Sequence, residues 1–200
     1  SLAKTQDFEK AIELRNKILK LEKIFENVKI IQDAKYGLEQ KELILDKLAS
    51  IFKLPKPPRR IEGYDISNIQ GRTAVGAMAV FVDGQPDKDE YRKFKIYFKE
   101  TPDDTAMLKE VLLRRFNHPE WPKPDLVFID GGKGQLNAAK NATTKNIPII
   151  SLAKGKKEVF STTMRKPVPM RKLSPEVRNF IFHIDSEAHR FAVSYYRKVH

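Results

Sequence analysis

The 200-residue sequence contains no cysteine. That absence excludes disulfides, thiolate nucleophiles and Cys-ligated zinc, and makes a reducing cytoplasm the expected setting. No apolar run is long enough to span a bilayer and no signal peptide is recognisable, so no membrane partner is expected. Acidic residues are in deficit, with 26 Asp plus Glu against 38 Lys plus Arg and a formal net charge of +12. Such a balance points to nucleic acid, although an acidic protein surface would also satisfy it. Gly131-Gly132-Lys133-Gly134 is not followed by the Gly-Lys-Ser/Thr of a nucleotide-binding loop, so no small-molecule substrate is expected. Internal repeats and low-complexity tracts are absent. The chain begins Ser1-Leu2 without Met and stops inside a helical pattern, which reads as an excised fragment with a cloning scar at its start.

What is present divides at a proline-rich joint. From residue 6 to about 35, Phe8, Ile12, Leu14, Ile18, Leu21, Ile24, Phe25 and Val28 recur at near-helical spacing, with Asp7 placed to cap. Leu43, Ile44, Leu48 and Ile51 mark a second amphipathic helix over 41–52, and the pair reads as a helical hairpin. Leu54-Pro55-Lys56-Pro57-Pro58-Arg59-Arg60 is a stiff basic connector. The expected organisation is therefore a helical segment with its linker over 1–58, for which an extension packing on the main domain is preferred to a docking element on composition alone, and an α/β domain over 59–200.

The second part opens with strands. Ile61–Ile66, Thr73–Val82 and Tyr91–Phe98 read as an antiparallel meander, with Asp83-Gly84 as a turn. A helix begins at Asp103-Asp104, whose bland reading as a cap pair is preferred. A buried strand then ends at Asp130, followed by a helix over about 135–143, a strand over 147–153, a loop or hairpin over 162–172, and a final helix from Ser174-Pro175. Three antiparallel strands, helix, strand, helix, strand, helix is the order of a ribonuclease-H-like fold: a five-stranded mixed sheet flanked by helices. In that topology the first and fourth strands are neighbours, so Asp65 and Asp130 face each other at their ends.

A carboxylate at the carboxyl end of a buried parallel strand sits where open α/β sheets bind ligands, and a divalent cation is its usual partner. Each residue also has a structural reading. Asp65 could cap a strand, Asp130 could serve the Gly-Gly turn, and a lone helical histidine such as His189 is more often not a ligand. Glu62 should share a face with Tyr64 and point away from Asp65. Arg72, Lys133, Lys154, Lys156 and Arg190 are the candidate DNA-phosphate contacts, alongside Lys157, Arg165, Lys166, Arg171 and Lys172.

The residues resemble a known family. Tyr64-Asp65-Ile66-Ser67-Asn68, Pro102-Asp103-Asp104, Ile129-Asp130-Gly131-Gly132-Lys133-Gly134-Gln135, Leu152-Ala153-Lys154-Gly155 and Glu187-Ala188-His189-Arg190-Phe191-Ala192 are similar, in order, to the C-terminal endonuclease domain of UvrC in bacterial nucleotide excision repair. Asp7 to Arg15, with Ile18 and Leu21, resembles the UVR motif that docks this family on UvrB.

The resemblance implies a metal-dependent endonuclease that cuts double-stranded DNA 5′ to a lesion. It implies Asp65, Asp130 and His189 as catalytic residues and as ligands of Mg²⁺ or Mn²⁺, with one or two ions left open. Thr105, Asp185, Ser186 and Tyr196 depart from the family pattern, and nothing within these residues resembles the GIY-YIG nuclease or helix-hairpin-helix modules. A non-catalytic module that docks DNA and protein, and a nuclease acting on RNA or a hybrid, are the competing functions.

Overall fold

The computed structural model describes residues 37–69, 73–97, 103–143 and 146–194. The first expected helix, Arg72 and the Tyr196 departure lie outside them. The chain forms two compact units, Ser1–Lys41 and Glu42–His200, and the following concerns the second. Helix α1 covers residues 37–52. Its residues Leu45, Leu48 and Phe52 are fully buried with Ile61, Phe128 and Val177. The stretch from Glu42 to the proline joint, expected to belong with the N-terminal segment, therefore supplies core to the α/β unit.

The strands are β1 (Arg60–Ile69), β2 (Thr73–Val82), β3 (Gln85–Pro86), β4 (Arg92–Tyr97), β5 (Leu126–Asp130), β6 (Ile149–Ala153), β7 (Glu158–Ser161) and β8 (Val168–Pro169). They form one mixed sheet in the order β3-β2-β1-β5-β6-β7-β8, with β4 also paired to β2. Five of these strands are the expected ones. The additions are β7 and the two-residue strands β3 and β8. Helices α2 (Asp104–Phe116), α3 (Lys133–Ala142) and α4 (Pro175–Val193) cover the faces.

Side chains alternate across a strand, and the two faces sort accordingly. Tyr64, Val127 and Ile129 pack with Leu108, Val111 and Ala139 of α2 and α3. Ile61, Leu126 and Phe128 pack with Val177, Ile181 and Ile184 of α4. β1 and β5 are parallel in the register Ile61↔Leu126 to Tyr64↔Ile129. One residue further along, Asp65 and Asp130 lie abreast at the carboxyl ends, both on the α4 face. Glu62 lies on the opposite face with Tyr64, as expected.

Glu62 anchors that opposite face. It is fully buried and receives Arg115 Nη2 at 2.7 Å and Nε at 3.1 Å, while Tyr64 Oη donates to it at 2.7 Å. Arg115 Nη2 also donates to the Pro122 carbonyl at 2.7 Å. Burial, and then the adjacent Glu62 charge, push the Tyr64 phenol well above its ordinary range. Removing one partner of such a pair strands a buried charge, at about 3–5 kcal/mol. Arg115→Met should therefore destabilise the domain by about that amount in a denaturant titration, and Glu62→Gln in the same chain should recover much of the loss. A single-mutant loss below about 1 kcal/mol would contradict this role.

On the site face, a Cβ built on Gly63 would lie 2.7 Å from Ile184 Cγ2. The missing side chain lets α4 cross β1 closely. Gly63→Ala should cost about 1–3 kcal/mol through overpacking, read from its unfolding midpoint. A neutral substitution would mean that the crossing has slack.

Candidate active site

Each strand delivers its carboxylate by ending there. β5 is buried through Ile129, and Asp130 is the first residue to emerge. The chain then turns at Gly131, whose φ of +142° favours glycine. A Cβ at Gly131 would fall 1.9 Å from Gln135 Oε1, the same oxygen that accepts from the Gly132 N–H at 2.9 Å. The Gly-Gly pair thus starts α3 immediately behind Asp130. On β1, Ser67 Oγ donates to Asp65 Oδ2 at 2.8 Å and fixes the carboxylate.

α4 brings the third expected residue. His189 Nδ1 lies 3.5 Å from Asp65 Oδ2. The imidazole is largely exposed and open toward solvent. Lys154, just past the end of β6, reaches back with Nζ 2.9 Å from Asp130 Oδ2 and 3.0 Å from Asp185 Oδ2. Burial works against its ammonium, but the bonds to Asp130 and Asp185 prevail and hold it charged above its usual range. Asp185 also shifts upward, which for a carboxyl disfavours the charged form. Burial raises its pKa, Lys154 opposes the rise, and the charges of Asp130 and Asp65 add to it.

Asp65, Asp130, Asp185, Lys154 and His189 line one open cavity of about 790 Å³. Three carboxylates against the Lys154 ammonium, with the Arg190 guanidinium already engaged by Glu187, make a local negative surplus on a strongly basic chain. A recess of about 90 Å³ on the other side of Asp65 and Asp130 is lined by Asp104 and Gln135. Asp103 caps α2, its Oδ1 accepting from Thr105 N at 2.9 Å and Ala106 N at 3.1 Å. Asp104, the next residue, lines the recess shared with the two strand aspartates, a placement that the cap reading of the pair did not anticipate. The sequence signal for it was the doubled aspartate, since a cap needs only one.

The structure brings together Asp65, Asp130, His189 and Lys154. Arg190 lines the same cavity but is held by Glu187, Nη2 to Oε2 at 2.7 Å and Nε to Oε1 at 3.0 Å. Lys133 is exposed at the start of α3, outside the cavity lining. Lys156 lines a neighbouring groove instead. Asp185 and Lys154 form a pair that spacing along the chain could not reveal. Among the described residues, no three His, Asp or Glu side chains stand close enough to share an ion as they are placed.

An RNase-H-like sheet with paired aspartates at the ends of two parallel strands defines this as an endonuclease-type α/β domain. Comparison with known sequences makes the assignment specific. Residues 49–193 match the UvrC RNase H endonuclease domain, and the chain belongs to that family. Residues 1–24 match the UvrB/UvrC motif. Over 174 residues the chain is 42% identical to UvrABC system protein C of Methanothermobacter thermautotrophicus, covering 84% of this chain and 29% of that protein. Against UvrABC system protein C of Dictyoglomus thermophilum it is 47% identical over 163 residues, covering 78% and 27% respectively. The chain thus spans less than a third of these relatives. Ciona intestinalis endonuclease V bound to inosine-containing DNA is a looser structural neighbour, at TM-score 0.41 and 14% identity, covering 80% of this chain and 66% of that one.

The electrostatics of the cavity can be tested directly. Lys154→Met removes the cation that, among the described residues, pairs with Asp185 and leaves the charges of Asp130 and Asp65, so the Asp185 carboxyl should titrate at still higher pH. Carbonyl-carbon NMR titration of Asp185 checks this, and an unmoved midpoint would remove Lys154 as its governing neighbour.

Proposed function

We propose that this domain hydrolyses a DNA phosphodiester with the aid of Mg²⁺ or Mn²⁺, cutting on the 5′ side of a lesion during nucleotide excision repair. The observation that carries the reading is the convergence of Asp65, Asp130 and His189 on one cavity in a chain of this family. The donor set fits a hard divalent cation in kind: carboxylate oxygens from two adjacent strand ends, a third from Asp185, one imidazole, and a surplus of negative charge. Asp65, Asp130 and His189 would hold the ion. When bound it would polarise the phosphoryl oxygen and acidify a water molecule.

The chain's own groups do the rest. Ser67 orients Asp65. Lys154 offers an ammonium at the cavity wall that can turn from Asp185 to a phosphate oxygen. His189 Nδ1 faces Asp65, where it would join the ion, and the Nε2–H left on the solvent side can donate a hydrogen bond to a phosphate oxygen. The strong basic excess draws the polyanion toward this acidic spot. The UvrB/UvrC motif over residues 1–24 is the expected dock for UvrB. A cytoplasmic location fits an intracellular repair enzyme free of cysteine.

One observation favours the non-catalytic alternative: Lys154 already engages two of the carboxylates. Cleavage decides. On a pre-nicked lesion duplex with UvrB and Mn²⁺, the chain should cut 5′ to the lesion, and Asp65→Asn or Asp130→Asn should slow cutting by about 10²–10³-fold. Wild-type rates in both variants would overturn the assignment. Deleting residues 1–35 should abolish UvrB binding, measured by pull-down. Retained binding would place the dock elsewhere.

A further inference from the structure

Beside the catalytic cavity lies a second groove of about 650 Å³. It runs between the turn after β6, the turn after β8 and the outer face of α4. Lys154 lines both hollows, so they adjoin at its side chain. Lys156, Lys157, Arg171 and Arg178 line this groove with a single acid, Glu158. Elsewhere several arginines are matched, Arg59 with Asp83, Arg60 with Glu90, Arg114 with Glu110, Arg115 with Glu62 and Arg190 with Glu187, whereas Arg92 reaches backbone carbonyls instead. Within the groove, none of the four cations pairs with a carboxylate among the described residues. Such a concentration of unmatched charge in a concavity suits an anion with repeated charges.

The groove is also apolar in a way that phosphate contact alone does not need. Phe182 is 43% exposed within it. It lies off the stripe of Val177, Phe180, Ile181, Ile184 and Ala188 by which α4 is buried, so the core makes no demand for it. Arg178, Phe182, Ser186 and His189 follow at helical spacing along one side of α4, over about 16 Å from first to last. A cation, an aromatic ring and then the catalytic histidine thus line one path. A duplex presents only phosphates and groove edges to such a path. An unpaired strand presents phosphates together with free base faces, which stack on aromatic rings.

We propose that this groove seats an unpaired segment of the DNA strand next to the phosphate to be cut. Its phosphates lie against Lys156, Lys157, Arg171 and Arg178, and a base stacks on Phe182. The proposal rests on the nuclease reading for what lies at the aspartates, and it goes further by stating that the strand there is open.

Fluorescence anisotropy in EDTA tests it without cleavage, using the full chain with labelled oligo(dT) and a duplex of equal length at one salt concentration. Phe182→Ala should weaken oligo(dT) binding about tenfold. Duplex affinity should change by less than about twofold, and Phe182→Trp should retain single-strand binding. Arg178→Glu should weaken oligo(dT) binding and flatten its salt dependence. Oligo(dT) affinity unchanged in Phe182→Ala, or an equal loss for duplex and single strand, would overturn the proposal. A chain that cuts DNA yet shows no Phe182-dependent binding keeps its nuclease assignment and loses this groove. Phe182-dependent binding in a chain that does not cut supports the groove and overturns the nuclease assignment.

Discussion

The parallel pairing of β1 with β5 is the constraint from which the site follows. Because Tyr64 stands opposite Ile129, the next residues on the two strands are both aspartates. Because side chains alternate, both point to the face that α4 covers. A slip of one residue would bury one carboxylate among the leucines and valines of α2 and α3, so register and site are fixed by the same hydrophobic pattern. Gly63 then sets how close α4 can come, and with it the approach of His189 to Asp65. The buried Glu62–Arg115 pair holds the opposite face of the same strand. β1 is thus fixed from both sides before any ligand arrives.

Electrostatics divides the surface into two roles. The chain as a whole repels cations, yet three carboxylates gather around one lysine in the cavity at the strand ends. That arrangement suits an acidic centre that a polyanion can approach only when a cation intervenes. Lys154 sits at the junction. It balances Asp130 and Asp185, and it opens onto the basic groove that leads away along α4. The raised pKa of Asp185 expresses the same surplus: burial and like charges make its ionised form costly unless a cation is near.

Much of this was legible in the sequence, for identifiable reasons. The apolar runs ending in Asp65 and Asp130 are long and clean, and turns follow them, so those strands and their end residues could be placed. The meander and the order of helices then gave the topology. What escaped was short or contradicted local preference. β3 and β8 are two-residue strands containing proline, and β7 follows Lys157, whose φ is +53°. The helix over 42–52 has the pattern of a hairpin partner, and only tertiary contact shows that Leu48 and Phe52 serve the sheet. Lys154–Asp185 and the recess that Asp104 shares with the strand aspartates depend on how distant segments meet, which periodicity does not record. His189 was expected through family resemblance, since a single histidine on a helix carries no signal of its own.

The central claim is that Asp65 and Asp130, far apart in the chain, form one cation site. Titration calorimetry with Mn²⁺ on the wild type beside Asp65→Asn and Asp130→Asn tests it most directly. Binding by the wild type that is lost in each variant alone is the result the account predicts. Wild-type binding that persists unchanged in either variant would show that the two carboxylates do not share an ion, and would contradict it.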